Sequence, residues 1–569
     1  MKALKYFSLI PLLAILLVIP SCQLKEKLVD TPTPSLIKNE SDVTAVINGA
    51  YSQFNDAAAF KYQGMLMFML CADDLYSDAG NELGTYSRRT YNSVNTSPMW
   101  NKLYSTIANA NGLMKTLDNL KLDSAFKIRA YGEAYFLRAF SYYYLVRLYG
   151  GVPLRLKAVD INSDFYLHRN TVDEVYAQIF ADFKMASAML PLFSAISQAE
   201  LGRASKGAAQ ALLAEAYLTY GNQLALRGGT VMAEYQNAGL YADSVINSNQ
   251  YALLPNYGDL FEINKETAAY REVIFGIRFQ TDQQARAQPA AGSEFALRFG
   301  APNTHFVSGN GATGQGDGTM RPMPWIADYY RTGDYASGTG ATQVIDYRNE
   351  KAFFQKGFNS TQNKYYAVYP NLPASAAEGT INTPLIAKYI DPTGKDSRNN
   401  GNDLFIIRLA EVYLIKAEAE NELNGATAVA QAAFNVVRAR ARNANGIPRI
   451  VPANVATPLT KDQFRMKIFD ERGLEFIAEG QRFFDLVRMR SPLSATQTMY
   501  EYQIKVVLPT KPQVMPTYNA TTNKYSNSNA VYAPAIMPSL MSFPKFLLFP
   551  VPSTEILQNP NFGAQNPGW

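Results

Sequence analysis

SAFKIRAYGEAYFLRAFSYYYLVRLY, Ser124 to Tyr149, is followed by Gly150, Gly151 and then Pro153. The run reads as one long helix with a defined stop, because glycine favours the helix exit and proline cannot continue it. Thr171 to Pro191, TVDEVYAQIFADFKMASAMLP, pairs with it. Earlier in the chain, Ser41 to Phe54 places Val43, Val46, Ile47, Ala50, Tyr51 and Phe54 on one face, with Ser41 or Asp42 as the N-cap. Its partner is Pro98 to Asp118. Ser205 to Gly221 with Val231 to Asn247 makes a third pair, and Asp403 to Asn424 with Thr427 to Asn443 a fourth.

Within these units, ALLAEAYLTYG and AEVYLIKAEAENELNG alternate small residues with Leu and Tyr one helical turn apart. Small residues let antiparallel helices approach closely while the larger ones fill the space between pairs, as in tetratricopeptide-like repeats. The sequence therefore predicts a mainly α chain with helix pairs over 41–118, 124–191, 205–247 and 403–443. Residues 254–402 turn Gly-, Asn-, Thr- and Tyr-rich with short apolar stretches such as EVIFGIRF, and 507–569 are irregular and Pro-rich. Long loops of that kind in a compact chain tend to carry function. Residues 41–569 are expected to form one domain.

The N-terminus, MKALKYFSLIPLLAILLVIPSC, has two lysines and an apolar run too short to span a bilayer and interrupted by Pro11. It reads as an export signal over 1–21. Ile19-Pro20-Ser21-Cys22 has the form of a lipoprotein cleavage site that leaves Cys22 to carry lipid; the alternative is a plain secretory signal with an incidental cysteine. Acyl chains hold a protein to a bilayer at roughly 0.8 kcal/mol per buried CH₂. Residues 22–40 are polar, carry prolines and read as a flexible tether. Cys71 is the other cysteine, so an exported chain has no disulfide framework and depends on its core. With 569 residues, 47% hydrophobic, it can build one. The net charge of +5 becomes +3 once Lys2 and Lys5 leave, without a Lys/Arg block, which argues against nucleic acid as a partner.

DERGLEFIAEGQRFFDLVRMR, Asp470 to Arg490, interleaves carboxylates with arginines. Glu471, Glu475 and Glu479 at i, i+4 and i+8 would make a self-repelling helical stripe without guanidinium partners. Arg472 stands three before Glu475, Arg482 three after Glu479, and Arg488 three after Asp485. Paired carboxylates have lowered pKa values, the opposite of what a general acid needs. The expectation is a structural ion-pair network, with Gly480 ending one helix before QRFFDLVR begins another.

Enzyme signatures are scarce. His168 and His305 are the two histidines, and neither HExxH, CxxC nor GxSxG occurs. Gly309, Gly311 and Gly314 form a literal GxGxxG inside SGNGATGQGDGT, without a convincing strand before or helix after it, so it reads as a loop. DSRNNG, Asp396 to Gly401, lacks an EF-hand frame and puts Arg398 at a ligand position. No cofactor is expected, with a structural calcium elsewhere left open. Asp73, Asp74 and Asp78 in CADDLYSD are the candidates for a glycosidase pair, or else capping and solvated aspartates.

Three stretches carry a resemblance: GEAYFLRAFSYYYLVRLYGGVPL (Gly132 to Leu154), Asp470 to Arg490, and FLLFPVPSTEILQNPNFGAQNPGW (Phe546 to Trp569). Together they resemble the SusD/RagB family of Bacteroidetes outer-membrane lipoproteins. The resemblance implies a lipid-anchored, cell-surface, non-enzymatic subunit that sits on a SusC-like TonB-dependent transporter and delivers oligosaccharides, or in some relatives peptides. It also implies a helical half supporting a less regular, ligand-facing half.

A sugar site needs aromatic faces with planar hydrogen-bonding groups at the rim. Two loops offer them: Tyr76 to Trp100, with Tyr86, Arg88, Arg89, Tyr91 and Asn92, and Phe299 to Arg331, with Asn303, His305, Trp325 and Tyr329. Trp100 itself reads as core. The other readings are peptide or glycopeptide capture, a helical-repeat scaffold that binds proteins, and a surface glycosidase using Asp73 or Asp74.

Overall fold

The computed structural model describes residues 37–569 except 281–291, 302–305, 309–315, 360–361, 394–397, 457, 512–513 and 532–544. The export signal, Cys22, most of the tether, Asn303, His305 and the Gly309 to Gly314 run lie outside the described residues. The helices that build the scaffold are α1 (Glu40–Ser52), α2 (Gln63–Leu70), α3 (Ser93–Asn119), α4 (Ser124–Tyr149), α5 (Val172–Met189), α6 (Lys206–Leu226), α7 (Met232–Ile246), α8 (Leu409–Asn424), α9 (Ala428–Ala441), α10 (Lys461–Glu475) and α11 (Arg482–Arg488). α3 packs on α4, α4 on α5, α5 on α6, α6 on α7, α7 on α8 and α8 on α9.

The centre of this row is α4, in which every residue from Phe136 to Tyr149 is buried. A helix apolar on all sides belongs inside a protein, and the two arginines within Phe136–Tyr149 are neutralised rather than exposed. Arg138 pairs with Asp182 at 2.8 Å, and Arg147 pairs with Glu215 at 2.9 Å while lying over the rings of Tyr143 and Phe484. α4 ends as the glycines predict, with Gly150 at φ +75°. The C-terminal tail then closes over that exit: Phe549 N donates to Leu148 O at 2.8 Å, and Asn566 Nδ2 donates to Tyr149 O at 3.0 Å.

Four details depart from the expectations. The cap of α1 is Asn39, in a capping box with Asp42, so Ser41 and Asp42 lie inside the first turn. α3 starts at Ser93, where Asn92 and Asn95 form a capping box, and carries Pro98 within it instead of beginning there. Asp403 to Asn424 is not one helix: Leu404–Arg408 is a strand paired antiparallel with Val273–Ile277, every residue of both being buried. A short run buried on every side has no period with which to tell strand from helix. α2, with all of its residues from Gly64 to Leu70 buried, escaped notice for the same reason.

Beyond the helical row, Phe306–Ser308, Lys356–Asn359 and Lys364–Val368 form an antiparallel sheet, to which Gly379–Ile381 adds in parallel. Among the described residues no helix is long and apolar enough to cross a membrane.

Candidate functional site

The Asp470 to Arg490 stretch is the joint between the helical row and the irregular part. α10 ends at Glu475, and Phe476 to Gly480 turn the chain, with Ala478 at φ +61° and Gly480 at φ +86°. Glu471 and Glu475 therefore share a helix face, whereas Glu479 sits in the turn. Of the three local pairs expected from spacing, Arg488–Asp485 forms, at 2.7 Å. The other partners come from far along the chain. Glu471 meets Arg348 at 2.7 Å and Arg438 at 2.8 Å. Glu475 meets Arg348 at 2.9 Å, Arg408 at 3.1 Å and also Arg440. Glu479 meets Lys388 at 2.6 Å and Arg408 at 2.8 Å. Arg472 turns to Asp485 at 2.7 Å and Glu411 at 2.8 Å, and Arg482 to Asp73 at 2.7 Å.

All of these groups are buried. Burial alone would lift the Glu475 carboxyl, but Arg440, Arg408 and Arg348 overcome it and hold the group well below the usual carboxylate range. Glu471 and Asp485 are lowered in the same way, burial being outweighed by Arg348 and Arg438 in one case and by Arg472 and Arg488 in the other. Such carboxylates stay ionised at neutral pH and have no proton to donate. The cluster binds strand, loop and helices to one another.

This joint positions a surface. The two loops singled out in the sequence meet in a short antiparallel ladder, Leu75 opposite Pro322 and Tyr76 opposite Arg321. Met323 N donates to Asp74 O at 2.7 Å, and Trp325 Nε1 donates to Asp73 O at 3.3 Å. Pro324–Tyr329 is a short helix seated on α10, where Tyr329 Oη donates to Asp470 Oδ2 at 2.7 Å and Tyr335 Oη to Glu471 at 3.2 Å. Trp325 and Tyr329 are half-buried, so part of each residue stays at the surface while its polar atom is anchored.

Five of the residues singled out in the first loop serve the frame. Tyr86 is fully buried and Tyr91 is 4% exposed. Tyr86 Oη donates to Asn95 O at 2.7 Å, and the Tyr91 ring lies against Tyr86, Phe549 and Trp569. Their ring faces are therefore spent on packing. Asn92 is the cap of α3, and the Arg88 guanidinium donates to Ala79 O at 3.1 Å. Arg89, at φ +59°, is buried and collects the carbonyls of Leu70, Cys71, Ala72 and Ser87.

In their place the ladder gathers half-buried groups that spacing did not reveal. The Arg298 guanidinium lies 4.4 Å over the Tyr62 ring, and Arg298 O accepts from Met320 N at 2.9 Å. Next in the chain, Arg321 reaches the exposed Asp78 at 3.4 Å, and Gln63 meets Glu82 at 3.4 Å. Tyr62 and Gln63 follow Phe60-Lys61 at the edge of a helix invisible to periodicity, so no sequence signal marked them.

Asp73 and Asp74 lie buried behind Trp325. Asp73 is taken by Arg482, and burial together with Asp73 pushes Asp74 up to about 7. Neither carboxyl lies at the surface, whereas Asp78, the third candidate, is exposed and is reached by Arg321. Among the described residues no group of three or more His, Cys, Asp or Glu side chains is arranged to hold a metal ion.

Comparison with known proteins places this geometry. A family model described as "SusD family" matches residues 271–569, and a second, described as "Starch-binding associating with outer membrane", matches 25–218. A SusD-like protein of Formosa agariphila is 27% identical over 583 residues, covering 98% of this chain and 99% of that one. Among solved structures, a SusD homolog from Bacteroides thetaiotaomicron superposes with TM-score 0.69 at 20% identity, covering 94% of this chain and 98% of its own. A laminarin-binding SusD-like protein superposes with TM-score 0.66 at 22% identity, covering 94% and 100%. The structural likenesses establish the fold, the first family model spans more than half of the sequence, and the chain belongs to the SusD family.

Proposed function

We propose that this chain is a non-catalytic glycan-capture lipoprotein, held at the outer membrane through Cys22, that binds an oligosaccharide on the face around Trp325. It passes the ligand to a SusC-like TonB-dependent transporter. The observation that carries the reading is the Leu75–Tyr76/Arg321–Pro322 ladder, which unites the two aromatic loops and anchors the Trp325 indole to Asp73, whose carboxylate pairs with Arg482. Aromatic faces rimmed by Gln63, Asp78, Glu82, Arg298 and Arg321 suit pyranose rings. The laminarin-binding relative supports the ligand class.

Calorimetry of the mature chain against laminarin, starch and other plant, host and microbial polysaccharides, with a peptide pool alongside, tests the reading. Saturable saccharide binding without cleavage is expected. Trp325→Ala should cost about 2 kcal/mol, or roughly 30-fold in Kd, as for a ring at the centre of an interface. Unchanged affinity in that variant refutes the site. Cleavage products refute the binding role, and binding of peptides alone refutes the ligand class.

A further inference from the structure

A second groove, of about 640 Å³, lies between α3, the loop after Pro153 and the C-terminal helix Ser553–Gln558. It shares no lining residue with the Trp325 face. Phe165 and Tyr166 stand at its edge, 54% and 52% exposed. Large rings in water ordinarily fold back onto the protein or mark a contact surface. Here the backbone prevents collapse. Arg155 donates to Asp164 O at 3.1 Å and to Phe165 O at 2.7 Å. Asn561 Nδ2 donates to Tyr166 O at 2.8 Å, and Asn559 Nδ2 to Leu167 O at 2.7 Å. Tyr166 N is held by the Asp164 carboxylate at 2.9 Å. Five bonds, two of them from the far end of the chain, thus fix the backbone that carries the two adjacent rings.

The groove beneath them is partly aromatic and partly polar. Tyr104 is half-buried, anchored by its hydroxyl to Pro153 O at 2.8 Å, with the Trp100 ring 4.9 Å away from its own. Trp100 itself is in the core, as the sequence predicts. Exposed amides from Asn101 and Gln558 and the Glu555 carboxylate stand at the rim. Rings fixed in advance lose little freedom on binding, and a concave mixture of aromatic faces with planar polar groups matches the alternating C–H and hydroxyl surfaces of a sugar. A flat protein interface would not need the cleft. We propose that this groove is a second saccharide site, taking a short stretch of pyranose units on Phe165, Tyr166 and Tyr104. The proposal shares the ligand class of the reading above and none of its residues.

Hydroxyl-radical footprinting of the mature chain, with laminari-, malto-, cello- and xylo-oligosaccharides at saturation, tests it. Oxidation of Phe165 and Tyr166 should fall about 5-fold, and the protection should survive Trp325→Ala. In calorimetry, the Phe165→Ala/Tyr166→Ala double variant should lose one of two binding events while keeping the one that depends on Trp325. Protection at Trp325 without protection at Phe165 and Tyr166 overturns the second site and leaves the capture role standing. A panel that protects neither region overturns both. Protection of Phe165 and Tyr166 that arises only with a SusC-like transporter present, and with no saccharide, overturns the proposal in favour of a protein interface.

Discussion

Replacing Glu475 by glutamine removes one charge from the middle of the buried network with almost no change in volume. Glu475 lies 2.9 Å from Arg348 and 3.1 Å from Arg408 and touches Arg440. Breaking one side of a buried pair costs roughly 3–5 kcal/mol, because the partner charges stay buried without compensation. An unfolding entropy of about 2.1 cal/mol/K per residue, applied to 569 residues, gives about 1.2 kcal/mol/K, so Tm should fall by about 3–4 °C at pH 7. The pH dependence sharpens the test. Guanidinium partners hold the folded pKa of Glu475 below the unfolded value of about 4.3. Its contribution is therefore present above that value and is lost as pH falls through the folded one. The Tm gap between the parent and Glu475→Gln, measured by differential scanning calorimetry, should be constant from pH 8 to about 5 and shrink under stronger acid. A variant within about 1 °C of the parent at pH 7, or a gap that widens in acid, would refute the structural role of the cluster.

Two further outcomes follow from the packing beneath the site. Burial, opposed by the Tyr329 hydroxyl and by Arg482, pushes Asp470 up to about 6. A carboxyl raised above its unfolded value of about 3.9 costs stability as pH rises between the two, about 3 kcal/mol at most for a two-unit shift. Asp470→Asn should therefore raise Tm by about 2 °C at pH 7.5 and bring no gain at pH 4, and a lower Tm at pH 7.5 would contradict this. Tyr91→Ala empties a position packed against Tyr86, Phe549 and Trp569 and should cost about 3–5 kcal/mol in denaturant melts. The saccharide affinity of the folded protein should stay within about 2-fold; a large affinity loss would return Tyr91 to the binding surface.

Local signals were legible in the sequence wherever the physics is local. The extent of α4 from Ser124 to Tyr149 follows from an unbroken helical run and the glycines that end it. Asp470 to Arg490 also announced its character, since so many carboxylates among apolar residues require guanidinium partners. The identity of those partners was not local. Arg348, Arg408, Arg438 and Arg440 reach Glu471 and Glu475 only because the strand pairing and helix packing bring distant segments together. The same holds for the aromatic residues. A tyrosine in a Gly- and Asn-rich loop reads alike whether its ring meets water or Phe549, so Tyr86 and Tyr91 could not be told from Trp325 by composition. The sequence by itself determined most of the helical scaffold and the charge character of its joint. Only the tertiary structure decided which rings stay at the surface, because burial is a property of the surroundings and not of the residue.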